Sequence, residues 1–406
     1  MNIRILVASI IVGSFATALG QTPDDQLKTK AQKLAHEILL VDTHIDVPEH
    51  IQEVGWQDLS SRTPDGEFDY VRAVQGGLNA PFMAVYIPAE EEKAGTAKKT
   101  AELLIDMVRK FAAEWPDKFS LAASVSDVTS QFKPDRISLC MGMENGAPLE
   151  GKLENIRHFY DRGIRYITLC HAKDNHICDS SYDTTRTWRG LSPFGKLVVA
   201  EMNRVGIMVD ISHVSDDTFN QVIRLSKAPL IASHSSCRYF TPGFERNMSD
   251  DMIRELAKNG GVIQINFGSD FLNNDYRLKD EAARLEIESY LRNHNLSERD
   301  SSARAYISEY RKAHPLPLTD VKDAVAHIDH VVKLVGVDHV GIGSDFDGVG
   351  DSLPTGLKDV SYYPNLLYEL LKAGYSDSDI KKICSGNLLR VWSAVEKTAK
   401  ELSTKD

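Results

Sequence analysis

Eight short apolar runs recur along the chain, and several of them end in a charged or polar residue. Runs of this length with little polar alternation are typical of strands that are buried on both faces of a parallel sheet. The pattern therefore predicts eight strands, at residues 38–46, 81–87, 137–144, 164–171, 206–213, 229–234, 261–267 and 338–345.

Amphipathic patterns of helical length separate most of these runs, as at residues 97–111, 194–204, 216–225, 249–258 and 324–334. Strand and helix in regular alternation predict an α/β architecture, a (β/α)₈ TIM-like barrel. An open doubly wound sheet shares the alternation, but no GxGxxG turn follows the first strand. Residues 272–319 are polar and helix-like, which predicts a helical insertion after barrel strand seven. We expect residues 21–406 to form one domain.

The first twenty residues differ from the rest: Arg4 precedes an apolar run, small residues follow, and the polar letters TPDDQ come next. This order predicts a secretory signal peptide at residues 1–20, because the run is too short to span a bilayer. The polar ending KTAKELSTKD predicts no lipid anchor. We therefore expect an exported protein, periplasmic or secreted, with no membrane anchor.

Composition narrows the function further. The net charge is -11 and no long run of Lys and Arg occurs, which argues against a nucleic-acid partner. Five cysteines are too few for a dense disulfide framework. Cys178 and Cys237 lie in predicted loops of an exported protein and could meet, whereas Cys140, Cys170 and Cys384 have the pattern of buried small hydrophobic residues.

Ionisable residues stand at the carboxyl ends of the predicted strands. In a (β/α)₈ barrel these ends converge on one face, where barrel active sites are built. Each residue alone has a structural explanation, as a core histidine, a helix cap or a turn residue. Together they would repel one another unless they shared a cation. The set comprises His44, Asp46, Glu144, His171, His213, His234 and Asp345.

Spacing indicates how such a cation would be held. His44 and Asp46 are two residues apart on one strand, so both side chains point into the barrel mouth and can chelate one ion. His213 and His234 can provide imidazoles for a second ion, and Glu144 can bridge the two. Nitrogen and oxygen ligands without thiolate suit Zn²⁺, with Mn²⁺ or Co²⁺ as possible substitutes.

Two further residues fit the hydrolytic chemistry of a two-metal site. Asp345 is placed for proton transfer, and His171 could stabilise a tetrahedral oxyanion. His176 lies in the loop after His171, where it is more plausibly a loop residue than a substrate contact. The remaining histidines fall in helical or loop patterns and are interpreted as surface or structural: His36, His50, His158, His294, His314, His327, His330 and His339.

The motifs around these residues resemble the renal or membrane dipeptidase family of the metal-dependent amidohydrolase superfamily. They are VDTHIDVP, GMENG, YITLCH, GLSPFGKLVVAEMNRVGIMVDISHVS, IASHSS, ERNMSDD, GIGSDFDGV and SGNLLRVW, spread in order over roughly residues 30–395. The resemblance implies a (β/α)₈ barrel with two zinc ions. It places His44, Asp46 and Glu144 around one ion, and Glu144, His213 and His234 around the other.

The resemblance also implies the substrate. Family members hydrolyse dipeptides, commonly with an L- or D-residue at the carboxyl-terminal position, and Arg246 would bind the free substrate carboxylate. His171 would contact the scissile carbonyl, and Asp345 would handle the proton that passes to the leaving amine. Family members often form homodimers. The loop after His171 reads AKDNHICDSS, which departs from relatives that have asparagine directly after the histidine.

Two alternatives remain. Another hydrolase of the same superfamily, acting on a lactone, a phosphotriester or another amide, would often carry a bridging carboxylated lysine on strand four. Strand four here ends in His171 without a lysine before it. A non-catalytic barrel that only binds its ligand would be expected to have lost a metal ligand or Asp345, whereas every expected position is filled.

Overall fold

The structure is a computed structural model that describes residues 22–297 and 300–404. The predicted signal peptide at residues 1–20 lies outside the described residues. Within those two ranges, no helix is long and apolar enough to cross a membrane.

In the part of the chain that the structure describes, nine strands, all paired in parallel, form the centre of the molecule. Eight of them follow one another in the order β1-β2-β4-β5-β6-β7-β8-β9. The short β3 lies outside this order and pairs with the first three residues of β4. The strands are β1 Val41–Ile45, β2 Ala80–Tyr86, β3 Phe119–Leu121, β4 Ile137–Glu144, β5 Ile164–Thr168, β6 Met208–Asp210, β7 Ile231–Ala232, β8 Val262–Ile265 and β9 Val340–Ile342. Each predicted strand overlaps one observed barrel strand, so the barrel prediction is confirmed, whereas β3 was not predicted.

The ring of strands closes between β1 and the segment after β9. Ile45 pairs with Phe346 in a parallel bridge. The backbone N–H of Asp46 donates to the carbonyl of Phe346 at 2.8 Å, and the N–H of Asp345 donates to the carbonyl of His44 at 3.0 Å. Closure therefore brings the polar ends of the first and last barrel strands side by side.

Helices surround the barrel, as the alternating pattern predicted. They are α1 Pro23–Glu37, α2 Val47–Val54, α3 Tyr70–Gly76, α4 Glu90–Ala94, α5 Ala97–Glu114, α6 Val125–Gln131, α7 Glu154–Arg162, α8 Pro193–Val205, α9 Asp216–Leu225, α10 Asp250–Lys258, α11 Ser269–Leu272, α12 Asn274–Asn293, α13 Ser301–Ala313, α14 Val321–Val335, α15 Tyr363–Lys372, α16 Asp377–Lys381 and α17 Asn387–Ser403. Serine caps begin three of the crossover helices: Ser192, Ser215 and Ser249 each accept a hydrogen bond from the backbone N–H three residues later.

Helix α17 covers the amino-terminal end of the barrel. Trp392 is fully buried and packs 5.4 Å, ring to ring, from Phe82 of β2. The same apolar cluster includes residues at or near the starts of several strands, among them Val41, Met208 and Val262. Burial of this apolar surface stabilises the closed end. The polar residues at the strand ends lie at the opposite, carboxyl end of the barrel.

The predicted helical insertion after barrel strand seven is confirmed. It consists mainly of α12 and α13, which follow β8 and the short α11. The two helices pack on each other through a small apolar cluster that contains Ile287, Leu291 and Ala303. Their polar side chains are left available to line the cavity above the barrel mouth.

The possible pairing of Cys178 with Cys237 is wrong: both thiols are free and buried. Cys178 packs beside Cys170. The thiol of Cys237 instead lies 3.6 Å from the carbonyl oxygen of His327 on α14. Cys140, Cys170 and Cys384 are free and buried, as predicted for small hydrophobic residues.

Candidate metal centre

The barrel brings all seven predicted strand-end residues to one place. His44 and Asp46 flank the end of β1, and Glu144 is the last residue of β4. The other four follow the ends of β5, β6, β7 and β9 by two or three residues. All seven are buried except His171, whose side chain is 21% exposed. Donor atoms group within 4.8 Å of one another in three sets: His44–Glu144–His234, Glu144–His171–His213 and His44–Asp46–Asp345.

Glu144 lies at the centre of this cluster. Its Oε1 atom is 2.9 Å from Nε2 of His213 and 3.2 Å from Nε2 of His234. Its Oε2 atom is 3.3 Å from Nε2 of His44, and its Oε1 atom is also 3.7 Å from Nε2 of the more exposed His171. One carboxylate therefore faces imidazoles from four other strand ends. This arrangement is expected of a carboxylate that bridges two cations.

Several buried atoms in the cluster have no hydrogen-bond partner among the described residues. They include Nε2 of His44 and both carboxylate oxygens of Asp46. Nε2 of His44 is 3.4 Å from Oδ2 of Asp46 and 3.9 Å from Oδ1 of Asp345. Buried polar atoms without partners are costly, and these are nitrogen and oxygen donors that converge on one volume. The donor set therefore fits a bound metal ion.

Two of these residues have left-handed backbone conformations. His213 has φ 68° and Asp345 has φ 65°, although neither is a glycine. Such conformations are unfavourable for most residues and concentrate at functional sites. Gly348 lies against the same carboxylates: a Cβ atom there would stand 2.4 Å from Asp46 and 2.5 Å from Asp345. The backbone conformation at these positions thus allows the side chains of the cluster to approach one another.

A second layer of side chains orients the imidazoles. The phenol oxygen of Tyr166 lies 2.7 Å from Nδ1 of His44, and its ring occupies space that a side chain at Gly142 would fill. Nδ1 of His234 is 2.7 Å from the hydroxyl of Ser233, which donates to Asp210 at 2.6 Å. Outer partners of this kind fix the tautomer of a metal-binding histidine.

The protonation of the cluster follows from burial and charge. Burial, reinforced by the guanidinium of Arg246, lowers the pKa of His213 well below its usual value. Burial and the imidazole of His44 do the same to the pKa of His234. Burial works against ionisation of Glu144, but the surrounding imidazoles outweigh it and hold its pKa well below the usual value. His213, His234 and Glu144 are thus in the forms that bind metal, a neutral imidazole and an ionised carboxylate.

The other carboxyl groups are shifted the opposite way. Burial, together with the carboxylate of Asp46, raises the pKa of Asp345 to about 7. Burial also raises the pKa of Asp46. Asn266 donates to Oδ2 of Asp345 at 2.7 Å and fixes the orientation of that carboxyl group. A carboxyl group with a pKa near neutrality is suited to proton transfer.

Arg246 lies beside the imidazoles and is 3% exposed. Its Nη2 atom donates to the carbonyl of His234 at 2.8 Å and lies 3.0 Å from Nε2 of His213. Nη1 donates to the hydroxyl of Ser235 at 2.8 Å, while Nε is buried without a partner. The structure therefore places this cation at the edge of the cluster.

A cavity of about 1010 Å³ opens over the cluster. Its wall includes residues that the sequence analysis did not single out: Glu49, Tyr86, Tyr182 and the insertion residues Tyr276, Arg284 and Arg311. His314, interpreted from sequence as surface or structural, also lines it. The spacing of Glu49, three residues after Asp46 in a helical pattern, was a signal that could have identified one of them.

His176 stands apart from this cavity. Its Nδ1 atom lies 2.7 Å from the carboxylate of Glu92, and it borders a separate, smaller cavity of about 450 Å³. Its contacts agree with the interpretation as a loop residue. His327 is fully buried, with Nδ1 accepting from the backbone N–H of Cys237 at 3.0 Å. It is structural, as expected.

Fold and site together define a (β/α)₈ hydrolase with a cluster of His, Glu and Asp that can bind metal ions. Residues 28–406 match the membrane dipeptidase family, peptidase family M19, and the chain belongs to that family. The predicted resemblance is thereby confirmed. Membership in this peptidase family identifies the chain as a hydrolase of the dipeptidase type.

Similar proteins extend over nearly the whole chain. The dipeptidase aclJ of Aspergillus oryzae is 32% identical over 95% of this chain and 83% of its own length. The dipeptidase verJ of Clonostachys rogersoniana is 33% identical over 93% of this chain and 89% of its own length. Among solved structures, the probable dipeptidase PvdM from Pseudomonas aeruginosa has 27% identity and a TM-score of 0.79, covering 92% of this chain and 99% of that one.

A more distant structure shares the fold. It is a metallo peptidase from Rhodobacter sphaeroides bound to a phosphinate mimic of the dipeptide L-Ala-D-Ala. That protein is 24% identical, with a TM-score of 0.71, and the alignment covers 88% of this chain and 99% of that one.

Proposed function

We propose that this protein is a dipeptidase that depends on two zinc ions and hydrolyses L-Xaa-L-Xaa and L-Xaa-D-Xaa dipeptides. The observation that carries the proposal is the position of the Glu144 carboxylate, with one oxygen facing His213 and His234 and the other facing His44. Membership in the dipeptidase family supports the same conclusion.

The donor atoms divide into two sets around Glu144. His44 and Asp46 would hold one ion with Glu144, while His213 and His234 would hold the other with the same carboxylate. Two bound Zn²⁺ ions would acidify a water molecule and polarise the scissile carbonyl. Mn²⁺ or Co²⁺ would be accepted by the same nitrogen and oxygen donors.

The protein's own residues complete the chemistry. Asp345, held at Oδ2 by Asn266, has its second oxygen directed toward the metal-binding donors. It would accept the proton of the attacking water and pass it to the leaving amine. His171, the most exposed imidazole of the cluster, would donate a hydrogen bond to the oxyanion that forms at the scissile carbonyl.

Arg246 would bind the free carboxylate of the substrate. A guanidinium offers planar, charge-assisted hydrogen bonds to a carboxylate, and the unpartnered Nε of Arg246 supplies one donor. The D-residue in the proposed substrate range has support from the ligand of the Rhodobacter sphaeroides structure, a mimic of L-Ala-D-Ala. Export to the periplasm or outside the cell, and a homodimeric state, stay predictions from the sequence.

The test combines metal content with product release. The purified protein is stripped with a chelator, its metal content is measured, and Zn²⁺, Mn²⁺ or Co²⁺ is returned before incubation with L,L and L,D dipeptides. We expect binding of two ions per chain and release of free amino acids only after metal is returned. One ion per chain at full activity would refute the binuclear site, and no release with two ions bound would refute the dipeptidase assignment.

A further inference from the structure

Glu49 is a carboxylate in the cavity to which the proposed mechanism gives no task. It lies on the first turn of α2, three residues after Asp46. Residues three apart on a helix share a face, so Glu49 is directed to the same side as Asp46. Both residues line the cavity, together with Glu144 and Asp345.

The carboxylate of Glu49 has no hydrogen bond or ion pair within the described ranges. The other acidic residues near it are engaged: Asp345 accepts from Asn266, and Asp46 and Glu144 belong to the metal-capable sets. Glu49 belongs to none of those sets. It is therefore a half-buried carboxyl group that lines the cavity and has no partner among the described residues.

The order of strands places Glu49 across the barrel mouth from Arg246. Glu49 follows β1, the first strand of the ring, whereas Arg246 packs on His213, which follows β6, the fifth strand of the ring of eight. First and fifth positions lie on opposite sides of an eight-stranded ring. A substrate with its carboxylate at Arg246 would direct its amino-terminal residue toward Glu49.

The environment of Glu49 favours a positive partner. Burial and the carboxylates of Asp46 and Glu144 raise the pKa of Glu49 to about 9 when no cation is near. A cation beside Glu49 would lower that pKa and form an ion pair in a partly buried site, where screening by water is reduced. Tyr86, whose hydroxyl interacts electrostatically with Glu49, packs edge-to-face on His171 at 4.8 Å.

We propose that Glu49 binds a primary ammonium group carried by the amino-terminal residue of the substrate, a specificity contact that rests on the proposed dipeptidase function. Two sources share this chemistry: the α-ammonium of any dipeptide and the side chain of an amino-terminal lysine. In both cases the contact fixes which end of the substrate lies on the α2 side of the cavity.

The test compares Glu49→Gln with Glu53→Gln in the metal-loaded enzyme. Glu53 lies on the same helix but is exposed and does not line the cavity. The substrates are L-Ala-L-Ala, L-Lys-L-Ala and L-Glu-L-Ala. We expect Glu49→Gln to raise KM by about tenfold or more for at least L-Lys-L-Ala, with kcat and metal content unchanged, because one charge-assisted hydrogen bond is lost. KM for L-Glu-L-Ala should rise as well if Glu49 binds the α-ammonium, and should fall if Glu49 faces the side chain, since a repulsive charge is then removed. Glu53→Gln should match the parent.

Comparison of L-Ala-L-Ala with L-Lys-L-Ala distinguishes the two sources of the ammonium group. A similar rise in KM for L-Ala-L-Ala and L-Lys-L-Ala identifies the α-ammonium, and a rise confined to L-Lys-L-Ala identifies the side chain. Unchanged KM for both substrates, or loss of metal from Glu49→Gln, would overturn the assignment of Glu49. If the parent enzyme hydrolyses no dipeptide at all, the proposed function fails instead, whatever the variant does.

Discussion

The phenol oxygen of Tyr166 lies 2.7 Å from Nδ1 of His44, on the edge of the imidazole opposite the nitrogen that faces Glu144. If Nδ1–H donates to this oxygen, the lone pair of Nε2 is directed into the metal-binding cluster. The close approach is possible because Gly142 has no side chain where the Tyr166 ring lies. A residue on β5 therefore controls the orientation of a ligand on β1.

Tyr166→Phe should weaken metal binding without removing a ligand. Loss of an outer hydrogen bond to a metal-binding histidine typically reduces metal affinity about 10-fold to 100-fold. Competition with a coloured chelator measures the affinity, and Tyr160→Phe, on α7 outside the cluster, is the matched control. Equal metal affinity in Tyr166→Phe and the parent would show that His44 is oriented by packing alone.

His213→Asn should remove one metal ion and abolish hydrolysis while the fold is retained. Asparagine is chosen because it tolerates the left-handed conformation that His213 adopts at φ 68°. Metal analysis, dipeptide hydrolysis and thermal unfolding report the three properties separately. Two ions per chain and full turnover in the variant would contradict the assignment of His213, and His36→Asn controls for loss of an imidazole elsewhere.

Most of the fold could be predicted from the sequence because the strands are buried on both faces. Such strands appear as continuous apolar runs, and each of the eight runs overlaps one observed barrel strand. The strand ends were predicted less accurately than the strands themselves: the run at residues 229–234 contains only Ile231–Ala232 as regular strand. The chain there turns early to bring His234 to the cluster. Strand β3 was missed because it has only three residues, two of which are only partly buried.

The cluster was predictable for a different reason. His44, Asp46 and Glu144 are polar residues at the ends of apolar runs, a contrast that is visible in one dimension. Contacts that depend on packing between segments distant in sequence could not be predicted. Asn266 reaches Asp345 across 79 positions, and the insertion residue Arg284 borders the same cavity only because α12 folds back over the barrel mouth. No local pattern encodes either relationship.

Arg246→Lys should raise KM most for dipeptides with a free carboxylate, because lysine keeps the charge but cannot reproduce the planar donor geometry. Comparing each dipeptide with its carboxyl-terminal amide isolates that contact. The parent should prefer the free acid, and the variant should lose much of that preference. Equal hydrolysis of acid and amide by the parent would refute the carboxylate-anchor role. Thermal unfolding serves as the control, since Arg246 also donates to Ser235 and the carbonyl of His234.

Asp345→Asn should retain both metal ions and lose most of the turnover. Positioned proton transfer contributes about 10²-fold to 10⁴-fold to rate, so kcat should fall within that range. Asparagine tolerates the left-handed backbone at this position and can still pair with Asn266. Metal analysis distinguishes this role from ligation, because a lost ion would identify Asp345 as a ligand, and an unchanged kcat would place the proton carrier elsewhere.

The raised pKa of Asp345 also predicts a pH dependence of stability in the chelated protein. A carboxyl group with a pKa of about 7 in the folded state, and about 4 when unfolded, binds more protons in the native state between those values. Its contribution to the free energy of unfolding therefore falls as pH rises from about 4 to about 7. Urea unfolding of the parent and of Asp345→Asn, compared across this window, isolates that contribution from the histidines. The parent should lose stability relative to the variant toward pH 7, and parallel pH profiles would show that the folded-state pKa of Asp345 is not raised.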